Sequence, residues 1–411
     1  MGRGLIDDIT AVGRGAGLDA VGVTTAAPFD EARIRIEERK AAGLHGGMAF
    51  TYGRPARSAD PARHLDGARS LVVGARRYHR RQVGPPPASS RRVQLPGALG
   101  SAVRESPGAR SPVPGSAAPG SSAPSSVYGR VARYAWRDHY AELRVGLRAI
   151  ADRLERDGWS TLVLVDDNRL IDRAAAYRAG LGWFGKNTNL LLSGRGSWFV
   201  LGAVLTDAPL PATAEPVPDG CGTCTACQPA CPTGALDDAG VLDARRCLAW
   251  LVEAPGTFPD EFRVALGDRI YGCDDCQEAC PANRLEIRRR PSVPAEPDDE
   301  AWVDVLALLE ADDDTLVARY ARWYVPGRRP EYLRRNALVV LGNIGHGDDP
   351  RTEAALRAAL THTVAVVRAH AVWAARRLGR DDLLSLVAAD ADPEVAVELQ
   401  RGLVPVGPGG S

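Results

Sequence analysis

Lysine is nearly missing from this 411-residue chain: Lys40 and Lys186 are the only two among 51 basic residues. Arginine carries the rest, a bias that GC-rich coding explains without any function. An excess of charge of either sign is missing too, since 51 acidic residues balance the 51 basic ones. That excludes a whole-molecule polycation, so any nucleic-acid contact has to come from a local basic patch. No apolar run approaches the roughly 18 residues that a membrane span requires. The opening residues, MGRGLIDDITAVGRGAGLDAVGV, hold no apolar signal-peptide core and place Asp7 and Asp8 early. The expectation is a cytoplasmic protein without membrane contact. Large apolar side chains are scarce between 82 and 127, where QVGPPPASS and ESPGARSPVPGSAAPGSSAPSS consist largely of Pro, Ser, Gly and Ala. Such a segment cannot bury enough surface to offset its ordering entropy, and it reads as a disordered insertion within a domain.

The chain as a whole has ordinary globular composition, 45% hydrophobic and 25% charged, and its length suits two or three domains. LDAVGVTTAA (18–27), SLVVGA (70–75), STLVLVD (160–166) and SWFVLGAVLTD (197–207) read as buried strands. FDEARIRIEERKAAG (29–43), DHYAELRVGLRAIADRLERDG (138–158) and LIDRAAAYRAG (170–180) read as helices, the first of them amphipathic. This alternation predicts an α/β domain. From about 300 the chain is helical. RRNALVVLGNIG (334–345), VVRAHAVWAARRLG (366–379) and DPEVAVELQRGL (392–403), with RTEAALRAAL (351–360) and RDDLLSLVAA (380–389) as partners, predict helix pairs stacked in a HEAT-like solenoid or packed as a plain bundle. The expected domains are 1–212, 213–295 and 296–411.

All eight cysteines lie between 221 and 280. In a cytosolic chain that points to metal or redox chemistry rather than disulfides. Cys221, Cys224, Cys227 and Cys231 have the spacing C-x2-C-x2-C-x3-C-P of bacterial ferredoxins. Three closely spaced thiolates reach three corners of one [4Fe–4S] cube, and the fourth, ahead of Pro232, reaches a second cube. Cys273, Cys276 and Cys280, followed by Pro281, form a second run one cysteine short, and Cys247 is the one cysteine left. Crossed ferredoxin wiring then gives one cluster Cys221, Cys224, Cys227 and Cys280, and the other Cys231, Cys247, Cys273 and Cys276. The alternative is structural zinc, which also uses C-x2-C pairs but normally as two separated pairs. Two cubes imply electron transfer without saying to what.

Longer stretches are more specific. VDDNRLIDRAAAYRAGLGWFGKNTNLLL (165–192), GSWFVLGAVLTDAPLP (196–211), LDARRCLAWL (242–251) and GDRIYGCDDCQEACPAN (267–283) resemble the epoxyqueuosine reductase family. GLHGGMAF (43–50), ARYAWRDHYAELRVGLRAI (132–150) and RRNALVVLGN (334–343) fit it as well, so the resemblance spans the chain outside 82–127. It implies an α/β (α+β) nitroreductase-like cobalamin-binding domain, a ferredoxin-like two-cluster domain and a HEAT-like helical tail. It implies two [4Fe–4S] clusters and cobalamin as cofactors, tRNA bearing epoxyqueuosine at the wobble position as substrate, and queuosine as product. A low-potential donor of flavodoxin or ferredoxin type would supply the electrons to a monomer.

Carried over residue by residue, the resemblance makes Asp166 the general acid that protonates the oxygen as a carbon–oxygen bond breaks. Read without it, Asp166 is a strand-end residue capping the next helix. The family often has a small residue at 167 and proline at 169, where this chain has Asp167 and Arg169. Cobalamin contacts are expected from Arg57, Asp138, Asp166, Lys186, Asn187, Leu190, Leu201, Ala249, Asp274 and Asp275. The family's usual Asp-Tyr-His is Asp138-His139-Tyr140 here. AGLGWFGKNT is equally readable as a tight turn. RLEIRRR (284–290) and RRPEYLRR (328–335) are the candidate tRNA-phosphate patches, or else solvated arginine. Two other functions fit the cysteines: a corrinoid-dependent reductive dehalogenase-like reductase, usually exported behind a twin-arginine signal that is absent here, and a non-enzymatic electron-transfer protein.

Overall fold

The computed structural model describes residues 2–81, 127–296 and 298–401. The expected insertion falls outside them except for Val127, which is fully buried and belongs to the fold. Residues 402 and 403 of the expected last helix also lie outside.

The described residues form nine strands: β1 (Ala20–Thr25), β2 (Ser70–Arg77), β3 (Tyr128–Val131), β4 (Thr161–Val165), β5 (Gly182–Phe184), β6 (Leu190–Leu192), β7 (Phe199–Thr206), β8 (Arg269–Tyr271) and β9 (Trp302–Asp304). The main sheet has the order β1-β2-β7-β4, and every pairing in it is antiparallel. Helix–strand alternation therefore does not produce parallel crossovers here; the domain is α+β. All eight residues of β7 are buried, as the apolar run predicts. β4 differs: it is the sheet edge, and its first three residues are only half-buried.

Strand periodicity divides the core in two. Leu71, Val73, Ala75, Leu201, Ala203 and Leu205 point to one face, covered by the helix Asp172–Arg178. Val72, Val200 and Val204 point to the other, covered by the helices Gly2–Gly15 and His139–Arg156 through Ile9, Leu143, Leu147 and Ile150. Gly74 and Gly202 are register partners beneath Leu147, and a Cβ on either would come within 3 Å of that side chain. The missing side chains let the helix lie close to the sheet. The helix Asp30–Ala41 buries none of its residues. It is a solvated helix with Arg33–Glu37 and Arg35–Glu38 pairs, not the amphipathic one expected.

β3 pairs with β8 in parallel and with β9 antiparallel, so three distant parts of the chain share one small sheet. The core beneath it is continuous from Val127 through Leu248, Phe258 and Leu266 to Leu338, Val372 and Val395. The cysteine segment and the helical tail are thus packed on one another. The tail holds helices Glu331–Ile344, Pro350–Leu360, Ala365–Arg377 and Pro393–Gln400, while 381–387, expected as an α-helix, winds as a 3₁₀ segment. No helix among the described residues is long and apolar enough to cross a membrane.

Arg263 is fully buried and held bidentately by Glu398 at 2.7 and 3.1 Å. This pair locks the last helix to the cysteine segment. Glu398→Ala leaves the buried guanidinium only the more distant Asp260 carboxylate, at 3.5 Å, and a loss of about 3 kcal/mol is expected. Denaturant unfolding of the two proteins checks it; a change below about 1 kcal/mol would mean the pair is solvated.

Candidate active site

Short turns bring the thiols together. Cys224 N donates to Cys221 O at 2.9 Å, Gln228 N to Thr225 O at 2.9 Å, and Cys231 N to Gln228 O at 3.1 Å. Cys227 lies within electrostatic reach of Cys221, Cys224 and Cys280. Cys276 lies within reach of Cys231, Cys247 and Cys273. The first group approaches the surface at Cys224, which is exposed. The second faces inward, and all four of its cysteines line an internal cleft. Burial pushes the thiols of Cys247, Cys273 and Cys276 up, and the neighbouring sulfurs push further in the same direction. Buried thiols this close together ionise only against a strong positive centre, so the donor set fits iron–sulfur clusters.

The hairpin β5–β6 clamps both groups. Lys186 Nζ donates to Gly222 O at 2.7 Å, and Lys186 O accepts from Gly240 N at 2.9 Å. Asn187 Nδ2 donates to Cys276 O at 3.4 Å. Trp183 packs so closely on Gly220 that a Cβ there would stand 2.6 Å from the ring. The GWFGKNT stretch thus holds the cysteine loops, and Lys186, expected against a cofactor, is instead tied to the first of them.

The cleft has a volume of about 310 Å³, at the small end for ligand sites. It runs between the sheet face at Phe199–Leu201, the hairpin at Asn187–Leu190, and the second thiol group with Leu248 and Ala249. Of the residues expected to meet a cofactor, Asn187, Leu190, Leu201, Ala249 and Asp275 line it. Three do not. Arg57 lines a separate cavity with Asn168 and Arg169. Asp138 accepts from Ala141 N at 2.8 Å as the N-cap of its helix. Asp274 faces a different cavity and holds Arg133, accepting from its backbone N at 2.8 Å and from its guanidinium at 3.3 Å. Its apolar floor lies beside the four inward thiols.

Asp166 follows the last residue of β4 with φ = 51°, a left-handed conformation that aspartate tolerates better than most residues. Its carboxyl is raised, first by desolvation and then by Asp172, against the pull of Arg144. Asp167 goes the other way. Arg169 grips it bidentately, Nη2 to Oδ2 at 2.6 Å and Nε to Oδ1 at 2.9 Å, and holds it below the usual carboxylate range. The two positions that depart from the family's residues therefore pair with each other and leave Asp166 free. Adjacent carboxyls pushed apart in this way separate an acid from a spectator.

Sequence reasoning missed two carboxyls. Asp172 lines the cleft beside Arg173, its carboxyl raised by burial. Glu253, six residues after Cys247, accepts from Tyr134 Oη at 2.8 Å and feels the charge of Asp166. Neither has a motif; only the folding of β4, the turn at 133–135 and the segment after Cys247 onto one another brings them together. The arginine patches are also redistributed. Arg284, Arg288, Arg289 and Arg290 are exposed, as are Arg328 and Arg329. Arg334 and Arg335 are buried: Arg334 pairs with Asp313, and Arg335 binds the carbonyls of Leu251, Val252, Ala254 and Gly256. The second patch shrinks to its first two arginines.

Residues 220–283 match the family described as a 4Fe-4S double cluster binding domain. An epoxyqueuosine reductase of Burkholderia pseudomallei is 34% identical over 400 residues, 90% of this chain and 92% of that protein. Among solved structures, an epoxyqueuosine reductase bound to an epoxyqueuosine-modified tRNA-Tyr stem loop superposes with a TM-score of 0.80 at 26% identity, covering 97% of this chain and 98% of that one. The Bacillus subtilis enzyme, solved with its catalytic aspartate loop swung out of the active site, gives 0.78 at 26% identity over the same shares. This chain is an oxidoreductase that belongs to the epoxyqueuosine reductase family.

Proposed function

We propose that the chain reduces epoxyqueuosine to queuosine in tRNA. The observation that carries the reading is a cleft with a thiol quartet in its wall and, within electrostatic reach of its lining residue Asp172, a carboxyl kept protonatable beside one kept ionised. Removing an epoxide oxygen as water, with formation of a carbon–carbon double bond, takes two electrons and two protons. Cys221, Cys224, Cys227 and Cys280 would hold one iron–sulfur cluster and Cys231, Cys247, Cys273 and Cys276 the other, which would supply single electrons at low potential. Leu190, Leu201 and Ala249 would hold cobalamin, which would supply a metal centre able to take up two electrons. The chain's own residues do the rest. Asn187 fixes the carbonyl of Cys276, the apolar floor excludes water, and Asp166 delivers a proton to the departing oxygen.

A flavodoxin- or ferredoxin-type donor fits the exposed side at Cys224, opposite the cleft group. Exposed arginines on the helix Pro281–Arg289 suit tRNA phosphates. The finer architecture belongs to the same reading: a nitroreductase-like domain 1–212, a two-cluster domain 213–295 and a HEAT-like tail 296–411, acting as a monomer in the cytoplasm. The test is anaerobic turnover of an epoxyqueuosine stem loop, followed by nucleoside mass analysis. Loss of one oxygen atom is expected. No conversion by protein verified to hold both clusters and cobalamin would overturn the substrate assignment.

A further inference from the structure

The reaction needs two protons, and a single carboxyl, Asp166, supplies one per turnover unless it is recharged. Within electrostatic reach of Asp166 stands a second proton-bearing pair. Tyr134 lines the cleft and donates its hydroxyl to Glu253 Oε1 at 2.8 Å. Glu253 sits behind it, on the segment that leaves Cys247. Four other polar groups from separate elements lie within electrostatic reach of Glu253: Tyr271 of β8, Tyr140 of the helix His139–Arg156, Asp166 at the end of β4, and the Cys247 thiol. No lysine or arginine pairs with Glu253 in any described contact.

We propose that Glu253 and Tyr134 form the second proton path of the enzyme, with Tyr134 donating at the cleft wall and Glu253 recharging it. The proposal rests on the epoxide-reduction reading above. With Glu253 ionised, the tyrosine hydroxyl is turned to the carboxylate. With Glu253 protonated, the carboxyl becomes the donor and the Tyr134 hydrogen is released toward the cleft. One proton then moves from Tyr134 to the departing oxygen and one from Glu253 to Tyr134, while Asp166 supplies the other. Together with two electrons from the low-potential donor, the epoxide oxygen leaves as water and a double bond remains. Burial pushes Glu253 up to about 7, with Asp166 adding to the rise and the hydroxyls of Tyr134 and Tyr271 opposing it. Tyr134 is raised well above 10, chiefly by burial, so it stays protonated between transfers. Glu253 acts through Tyr134 and is a positioning and relay residue; Tyr134 is the group that meets substrate.

The test uses Glu253→Gln and, in parallel, Tyr134→Phe, which keeps the ring beside Tyr271. Turnover of an epoxyqueuosine stem loop is measured across pH 5.5–9 in the loaded enzyme. The wild-type rate is expected to fall as pH rises through about 7, because the protonated carboxyl is the active form. In Glu253→Gln turnover is expected to drop about tenfold or more with that limb removed, and KM for the stem loop unchanged. Tyr134→Phe should show the same drop. Infrared titration of the cofactor-free protein gives a readout independent of activity: a protonated-carboxyl band that disappears near neutral pH and is missing in Glu253→Gln. A Gln variant with wild-type rate and pH profile, or a Phe variant with full activity, overturns the relay. Absence of conversion by the wild type itself would instead fault the substrate reading, and the infrared band would still report on Glu253.

Discussion

Asp166→Asn is expected to lower turnover about 10²–10⁴-fold while leaving both clusters and cobalamin in place, the range that a positioned general acid contributes. Asparagine suits the test because it tolerates the left-handed backbone that Asp166 adopts, φ = 51°, and has nearly the same shape. What it removes is the transferable proton. The pH dependence adds a sign. The Asp166 carboxyl is raised by desolvation and by Asp172, so its acid form persists above the ordinary aspartate range. The rate should fall as pH rises through that pKa, and the variant should lose this fall. Asp167→Asn is the internal control. Asp167 is held ionised by Arg169, so its replacement should change turnover only a few-fold through loop geometry. Equal losses in the two variants would mean that the loop, not a proton, sets the rate.

Cys247→Ser is expected to abolish turnover and to remove about half of the bound iron and sulfide. Cys247 is the one ligand that lies outside both C-x2-C runs, and it opens the short helical turn Leu248–Leu251 at the cleft wall. The backbone around it does not depend on a cluster: Arg335 holds the carbonyls of Leu251, Val252, Ala254 and Gly256. The variant should therefore fold, keep the cluster of Cys221, Cys224, Cys227 and Cys280, and show one reduced-cluster signal by EPR where the parent shows two. Full iron content with both signals would overturn the ligand assignment.

Much of the fold is legible in the residues because its signals are local. β7 is an unbroken apolar run, and it becomes the fully buried strand beside the cleft. The cysteine runs are legible because each is itself a chain of tight turns that keeps its own thiols close. Contacts between distant segments are less legible. Nothing in AGLGWFGKNT says that Lys186 reaches Gly222 and Trp183 covers Gly220, because the partners lie 36 and 37 residues away. Arg335 reads as a basic surface residue, yet four carbonyls left open after a helical turn draw it inside. The helix Asp30–Ala41 shows the reverse error. Its isoleucines suggest an apolar face, but the sheet offers that face nothing to cover, and Ile34 remains exposed. Asp172 and Glu253 were invisible for a third reason: a buried carboxyl has no sequence signature until its neighbours are known.

The most direct measurement counts electrons against product. The cluster- and cobalamin-loaded chain is reduced anaerobically, freed of excess reductant, and mixed with an epoxyqueuosine stem loop. EPR and optical absorbance report the electrons lost, and nucleoside mass reports the queuosine formed. The account predicts two electrons lost for each oxygen removed, and no product from protein that holds clusters without cobalamin. Product formed without loss of electrons, or formed equally well without cobalamin, would contradict it.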